Sequence, residues 1–187
     1  MDPLTQGAIG AAVPLATRNR SQILLASGLG FLAGMAPDLD FLIKSSEDPL
    51  FVLEFHRHFT HSLIFIPVGG GIVAGIFYGI FWRWRSIGFL RMWLFCSLGY
   101  GTHGLLDSTT SYGTLIFWPL DDTRYALSII SIVDPLFTLP ILGMILAGIL
   151  QKNGKWGRIA IIWGIIYLMV GVWQNRSAMT EARNLAE

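Results

Sequence analysis

All four histidines of this chain fall in two neighbourhoods rich in residue types that bind cations or move protons. One begins Pro37-Asp38-Leu39-Asp40 and continues with His56-Arg57-His58-Phe59-Thr60-His61-Ser62; the other is His103-Gly104-Leu105-Leu106-Asp107, followed by Ser108, Thr109 and Thr110. His103 and Asp107 are four apart, so on a helix they stack on one face with Cβ atoms about 5–6 Å apart. An imidazole and a carboxylate placed in that way can hold one divalent cation, and nitrogen and oxygen donors together suit zinc. The plainer alternative is a His–Asp hydrogen bond that locks the imidazole tautomer. An apolar membrane segment tilts the balance toward function, because an ionisable side chain there costs about 2.5–3.5 kcal/mol on insertion scales.

The Pro-Asp-Leu-Asp element puts two carboxylates just past a helix end. Alternate residues of an extended segment point the same way, so Asp38 and Asp40 are expected to face a metal together. The competing reading is turn chemistry, with Pro37 stopping the helix and the aspartates bonding nearby backbone. In the histidine triplet, His58 and His61 share a face on a helix, whereas His56 and His61 diverge by roughly 140°. A loop lets either pair converge, and spacing alone leaves the choice open. Arg57 either grips an anionic substrate oxygen with its guanidinium fork or anchors at lipid headgroups. Asp134-Pro135 reads as an N-cap with proline at the first helical position or as support for the site. Asp121, Asp122 and Arg124 read as a solvated exterior loop.

The elements that must carry these residues are apolar helices. The 187 residues are 53% hydrophobic and 13% charged, about half the charge of an ordinary soluble domain, with a mean hydropathy of +0.56. A bilayer core needs about 20 mostly apolar residues as helix. Stretches 62–82, 89–106, 129–150 and 159–173 approach that length, and 22–36 does so if extended through Ile43. Residues 4–16 are too short to cross and suit a re-entrant or interfacial helix packed against the bundle. The expected fold is therefore all-α: a polytopic transmembrane bundle of about five spans plus that N-terminal helix, forming a single integral membrane domain over residues 1–187.

Eight of the 13 basic residues sit in three alternate connections: Arg18 and Arg20; Arg83, Arg85 and Arg91; Lys152, Lys155 and Arg158. The positive-inside rule assigns these to the cytoplasm. The intervening connections carry Asp38, Asp40, Glu47, Asp48 and Glu54, then Asp121 and Asp122, and are expected outside. The candidate residues thus belong to the exterior face. A net charge of +1 argues for no nucleic-acid partner. Cys96, the only cysteine, excludes an internal disulfide and a Cys-rich zinc site. The opening Met1-Asp2-Pro3 lacks a basic n-region, so the membrane segments are expected to do their own targeting.

These residues resemble the YdjM-like family of membrane-bound metal-dependent hydrolases. The resemblance rests on Met-Asp-Pro-Leu-Thr-Gln-Gly at 1–7, Pro-Asp-x-Asp at 37–40 and His-Arg-x-x-Thr-His-Ser at 56–62. It continues through His103 and Asp107, the stretch 110–114 and Asp-Pro-Leu-Phe-Thr-Leu-Pro at 134–140, ending near Gly143. It implies that His56 and His61 are the family histidines and that His58 occupies a variable position. Some members carry histidine where this chain has Gln6, so no N-terminal metal ligand is expected. An Asp, a His and a His-x-x-x-Asp element are also similar to one metal position of zinc phospholipase C and P1-type nucleases, which cleave phosphoesters.

The leading expectation is metal-assisted hydrolysis at the outer face of a bacterial inner membrane. Asp40, His61, His103 and Asp107 are expected to hold a divalent metal, Zn2+ by donor type. His56 or Asp38 is expected to complete the shell or act as base, with Arg57 on the substrate. A lipid or lipid-linked phosphate can reach such a site laterally from the membrane. The rival readings are a transporter, which needs polar groups through the depth of the membrane, and a scaffold stapled by metal.

Overall fold

The computed structural model describes residues 1–17, 21–43, 56–80 and 87–186. Its α-helices are α1 (Pro3–Ala16), α2 (Ile23–Met35), α3 (Ile66–Ile80), α4 (Phe89–Asp107), α5 (Pro135–Leu150) and α6 (Lys155–Ala186). A 3-10 segment, Ala36–Leu42, prolongs α2, and two short ones, Phe59–His61 and Leu63–Phe65, lead into α3. Among the described residues the only β pairing is an isolated bridge between Thr114 and Tyr125. The all-α expectation holds.

Lipid as solvent is written on α3 and the 3-10 turn before it. Ile64, Val68, Ile72, Ile76 and Ile80 recur every four residues and are 52–62% exposed, while Gly69, Gly70, Val73 and Ala74 face inward. Large apolar side chains outside and small ones inside reverse the pattern of a soluble helix, and small residues allow helices to approach closely in a bilayer. The same division recurs on α6, with Ile162, Ile165, Ile166 and Met169 exposed and Gly157, Ala160, Gly164 and Gly171 buried. Among the described residues three stretches are long and apolar enough to cross a membrane: Ile23–Leu42, Leu63–Ile80 and Lys155–Ala186. The molecule is a membrane-embedded helical bundle.

Two packed cores flank α4. Ala8, Leu15, Phe137 and Ile141 join α1, α5 and α6, and Leu29, Val73, Phe95 and Cys96 join α2, α3 and α4. The crossings are made by glycines. A Cβ on Gly10, Gly30 or Gly34 would run into backbone across the α1–α2 contact, and one on Gly99 would run into Gly30. These contacts bring the backbone of α2 against the last turns of α4.

Several boundaries differ from the sequence reading. The stretch 129–150 becomes helical only at Pro135, because Asp134 accepts the Phe137 amide proton at 3.1 Å and caps the helix. Residues before it cover the end of the bundle instead: Ile129 donates its amide to Thr109, and the Ile132 carbonyl accepts from Asp2. The final helix does not stop near 175 but runs to Ala186, since residues 174–186 contain neither glycine nor proline. Helix α1, 14 residues long, is about 21 Å by helical rise and packs inside the bundle against α2, α4, α5 and α6. Arg18, Arg20, Glu47, Asp48, Glu54, Trp82, Arg83, Trp84 and Arg85 lie outside the described residues. Ala16 abuts Gly157 beside the Lys152–Arg158 link, whereas Gln6 meets Asp107 at the opposite end of α1. The candidate residues and that basic link therefore occupy opposite ends of the bundle.

Candidate metal centre

Three separate pieces of chain deliver the cluster. Past the end of α2, Pro37 lies in a 3-10 segment rather than the extended segment expected from sequence. At three residues per turn, positions two apart point about 120° away from each other, so Asp38 and Asp40 approach His61 from different sides: Asp38 Oδ1 lies 3.5 Å from Nε2 and Asp40 Oδ2 3.4 Å from Nδ1. The 3-10 turn Phe59–His61 presents His61, and the last turn of α4 presents His103 and Asp107. A Cβ on Gly104 would overlap the His61 carbonyl, so that glycine is what lets the turn lie against α4.

One ligand atom from each of Asp38, His61, His103 and Asp107 lies within 4.8 Å of the others. The His61 and His103 rings meet edge to face at 4.6 Å. The side chains of His61, His103 and Asp107 are fully buried, and that of Asp38 is 21% exposed. Asp38 opens the cluster to its surroundings.

The hydrogen bonds fix both imidazole tautomers. His103 Nδ1 lies 2.5 Å from the Gly34 carbonyl; a carbonyl only accepts, so Nδ1 carries the proton. Thr60 donates its hydroxyl to Asp40 Oδ2 at 3.1 Å and therefore accepts from His61 Nδ1 at 2.9 Å. In neutral rings, both Nε2 atoms then present lone pairs. They face Asp38 Oδ1 at 3.5 and 3.2 Å and Asp107 Oδ2 at 3.4 Å each. Two lone pairs and two carboxylate oxygens repel one another unless a cation, or a second proton on each ring, stands between them. His61 Nε2 and Asp107 Oδ2 are both buried without a hydrogen-bond partner. The donor set fits a divalent metal.

Around this core lies a shell that orients it. Asp40 accepts from His56 Nδ1 at 2.8 Å, from the Arg57 amide at 2.9 Å and from Thr60. The sequence reading grouped Asp40 with His61, His103 and Asp107; the structure brings Asp38 into that group and sets Asp40 behind it. Asp107 Oδ1 accepts from Gln6 Nε2 at 2.8 Å and from the Met1 amine. Arg57 Nε sits 3.1 Å from Asp107 Oδ2, an ion pair whose angle is too poor for a hydrogen bond. Arg57 adopts a φ of 61° and is buried between two half-buried histidines. His56, 29% exposed, lies 6.2 Å from His61 between ring centroids. His58 instead packs against Trp118 and Phe59. Asp134 caps α5 and accepts from the Tyr167 hydroxyl at 2.8 Å.

Three contributors escaped sequence reasoning: the Met1 amine on Asp107, Thr60 and the Gly34 carbonyl. Thr60 carried a signal, since it adjoins His61 in a run of candidate ligands. The Gly34 carbonyl carried none, because a backbone acceptor acquires its role only when two helices cross.

Fold and site together define a class: a polytopic membrane protein whose apolar interior encloses a His/Asp cluster able to hold a metal ion. The chain belongs to the YdjM inner membrane protein family, whose model matches residues 1–178. That match runs beyond the motifs ending near Gly143 and takes in most of α6. The chain is also 36% identical over 98 residues to "Inner membrane protein YbcI" of Escherichia coli (strain K12). This alignment covers 51% of the chain and 54% of that protein, so the chain spans about half the length of the curated relative it matches. No solved structure matches the chain. The family and the apolar helices agree on a multi-pass, inner-membrane location.

Proposed function

We propose that this protein is a metal-dependent hydrolase of a lipid or lipid-linked phosphoester, working at the outer face of the inner membrane. The single observation that carries the reading is the convergence of two imidazole Nε2 atoms and two carboxylate oxygens within 4.8 Å of one another in a largely buried cluster. Asp38, His61, His103 and Asp107 would hold the ion, and two nitrogens with two oxygens favour Zn2+. When bound, such an ion polarises a phosphoryl oxygen and makes water acidic enough to ionise near neutral pH.

The protein's own groups do the rest. Asp40 accepts a hydrogen bond from His56 Nδ1–H at 2.8 Å, leaving His56 Nε2 as a base on the partly exposed side. A carboxylate behind an imidazole both fixes the ring and stabilises its protonated form. Arg57 balances the charge of Asp107 and donates to Thr110 at 3.2 Å. Asp38, the most accessible member of the cluster, marks the side from which substrate enters.

The outward orientation draws support from the alternation of basic and acidic connections. Counting α4 and α5 with the three long apolar stretches makes five spans in one membrane domain over 1–187. The phosphoester substrate draws on the likeness of the ligand pattern to zinc phospholipase C and P1-type nucleases, and on lateral access from lipid.

The test is elemental analysis of the detergent-purified protein beside a His103→Ala/Asp107→Ala variant, followed by assay on lipid phosphoesters. Stoichiometric metal in the wild type and its loss, with activity, in the variant is the expected result. Wild-type metal content in the variant would sink the ligand assignment. Bound metal with no phosphoester turnover would remove the hydrolase reading.

A further inference from the structure

Beside the cluster stand two cations that share one aromatic ring. The guanidinium carbon of Arg57 lies 4.9 Å, and that of Arg124 5.1 Å, from the centroid of Tyr112. Both contacts are cation–π interactions. The two arginines differ in what else they touch. Arg57 is committed to Thr110 and Asp107. Arg124 Nη2 reaches the His56 carbonyl at 3.5 Å, while Nη1 is buried without a hydrogen-bond partner. Among the described residues Arg124 has no ion pair.

The arrangement is held by hydrogen bonds to backbone. Thr114 and Tyr125 exchange backbone hydrogen bonds at 3.0 and 2.9 Å, and the Arg57 carbonyl accepts from the Leu115 amide at 3.3 Å and the Thr114 hydroxyl at 3.2 Å. Arg57 and Arg124 are thus tied to the same short stretch of backbone. A buried guanidinium donor without an acceptor is unfavourable, and the fork geometry suits a planar or tetrahedral oxyanion. Charge favours the more highly charged of these. A divalent ion in the cluster would offset the carboxylates of Asp38, Asp40 and Asp107 and strengthen the draw of the two guanidiniums on a dianion.

We propose that Arg124, with Tyr112 and Arg57 beside it, forms an oxyanion site that takes a phosphate group next to the Asp/His cluster. Arg124 is then the residue that selects phosphate, and this role rests on the hydrolase reading, although the anion binding itself does not. The same phosphate chemistry is offered by a lipid headgroup and by free phosphate.

The experiment titrates inorganic phosphate into the full-length, metal-loaded protein in detergent, with calorimetric readout and metal content measured on each sample. Arg124→Gln is expected to weaken phosphate binding about tenfold or more while keeping its metal, as for loss of a charge-assisted hydrogen bond. Arg124→Lys, which keeps the charge but loses the fork, is expected to fall between, and serves where the glutamine variant fails to accumulate. Unchanged affinity in either variant, or no phosphate binding by the wild type, overturns the proposal. Arg124-dependent phosphate binding in a wild type that holds no metal would instead defeat the hydrolase reading and leave the oxyanion site standing. Competition with a water-soluble short-chain phosphatidic acid separates the sources. Displacement at lower concentration than inorganic phosphate assigns the site to a lipid headgroup, and equal potency assigns it to free phosphate.

Discussion

His103 donates its Nδ1 proton to the Gly34 carbonyl, 2.5 Å away on a different helix, and this bond turns Nε2 toward Asp38 and Asp107. Gly34 lies in the last turn of α2, where helix carbonyls lack intrahelical partners. The helix end supplies an acceptor, and the glycine crossings among Gly10, Gly30, Gly34 and Gly99 bring it close enough to be used. An imidazole held in this way has its orientation set before any ion arrives.

Chelation should destabilise the protein. Four acceptor atoms within 4.8 Å of one another repel when nothing positive separates them. Treatment with a chelator is expected to lower the thermal midpoint in detergent, and added Zn2+ to restore it. At a hundredfold excess over Kd the gain is about 2.7 kcal/mol by mass action. A midpoint indifferent to both treatments would count against a metal in the cluster.

The two aspartates of the 37–40 element should separate. Asp38→Asn is expected to strip metal, because the amide replaces a charged donor. Asp40→Asn is expected to keep stoichiometry at saturating metal but lower affinity by about 10–100-fold, as for a group that orients a ligand. Competition against a coloured chelator measures both. The reverse ranking would return Asp40 to the ligand set.

Gly104→Ala should be disruptive despite its small size. The added methyl would collide with the His61 carbonyl, a backbone atom that has no rotamer to escape into. Overpacking of this kind costs about 1–3 kcal/mol, and here it should also push His61 away from Asp107. The expected result is a lower unfolding midpoint together with weaker metal binding. By contrast, Gly75→Ala, where a Cβ meets nothing within 4 Å, should leave both unchanged.

Asp134 should prove structural. Asp134→Ala removes the cap on the Phe137 amide and the acceptor for Tyr167, and loss of a cap costs about 1 kcal/mol. Tyr167→Phe removes the second bond alone and should cost less. Neither variant should change metal content. Metal loss in Asp134→Ala would bring this residue into the site.

Acid should loosen the loop that carries Arg124. The Asp121 carboxyl accepts from the Thr123 amide at 2.8 Å and from the Tyr125 hydroxyl at 2.7 Å. The hydrogen bonds from Thr123 and Tyr125 hold it below the usual aspartate range. A carboxyl lowered on folding stabilises above its unfolded pKa, about 3.9, and that contribution disappears as pH falls through the lowered folded value. Faster amide exchange at Thr123 on acidification, absent in Asp121→Asn, is the expected signature.

Much of this protein is legible along the chain because lipid imposes simple demands. Apolar stretches near 62–82 and 159–173 announced helices, since every backbone polar group in a bilayer must be bonded within its own segment. The i, i+4 spacing of His103 and Asp107 set them on one face, because the helical period alone decides that. Tertiary structure decided the rest. Whether Asp38 or Asp40 met the two Nε2 atoms depended on a 3-10 rather than an extended backbone after Pro37. Which histidine of the triplet turned inward depended on a glycine in another helix, and which nitrogen of His103 faced the cluster depended on a carbonyl of α2. Spacing records the order of side chains along one element. The direction in which a ring nitrogen points is fixed by neighbours that only the crossing of helices supplies.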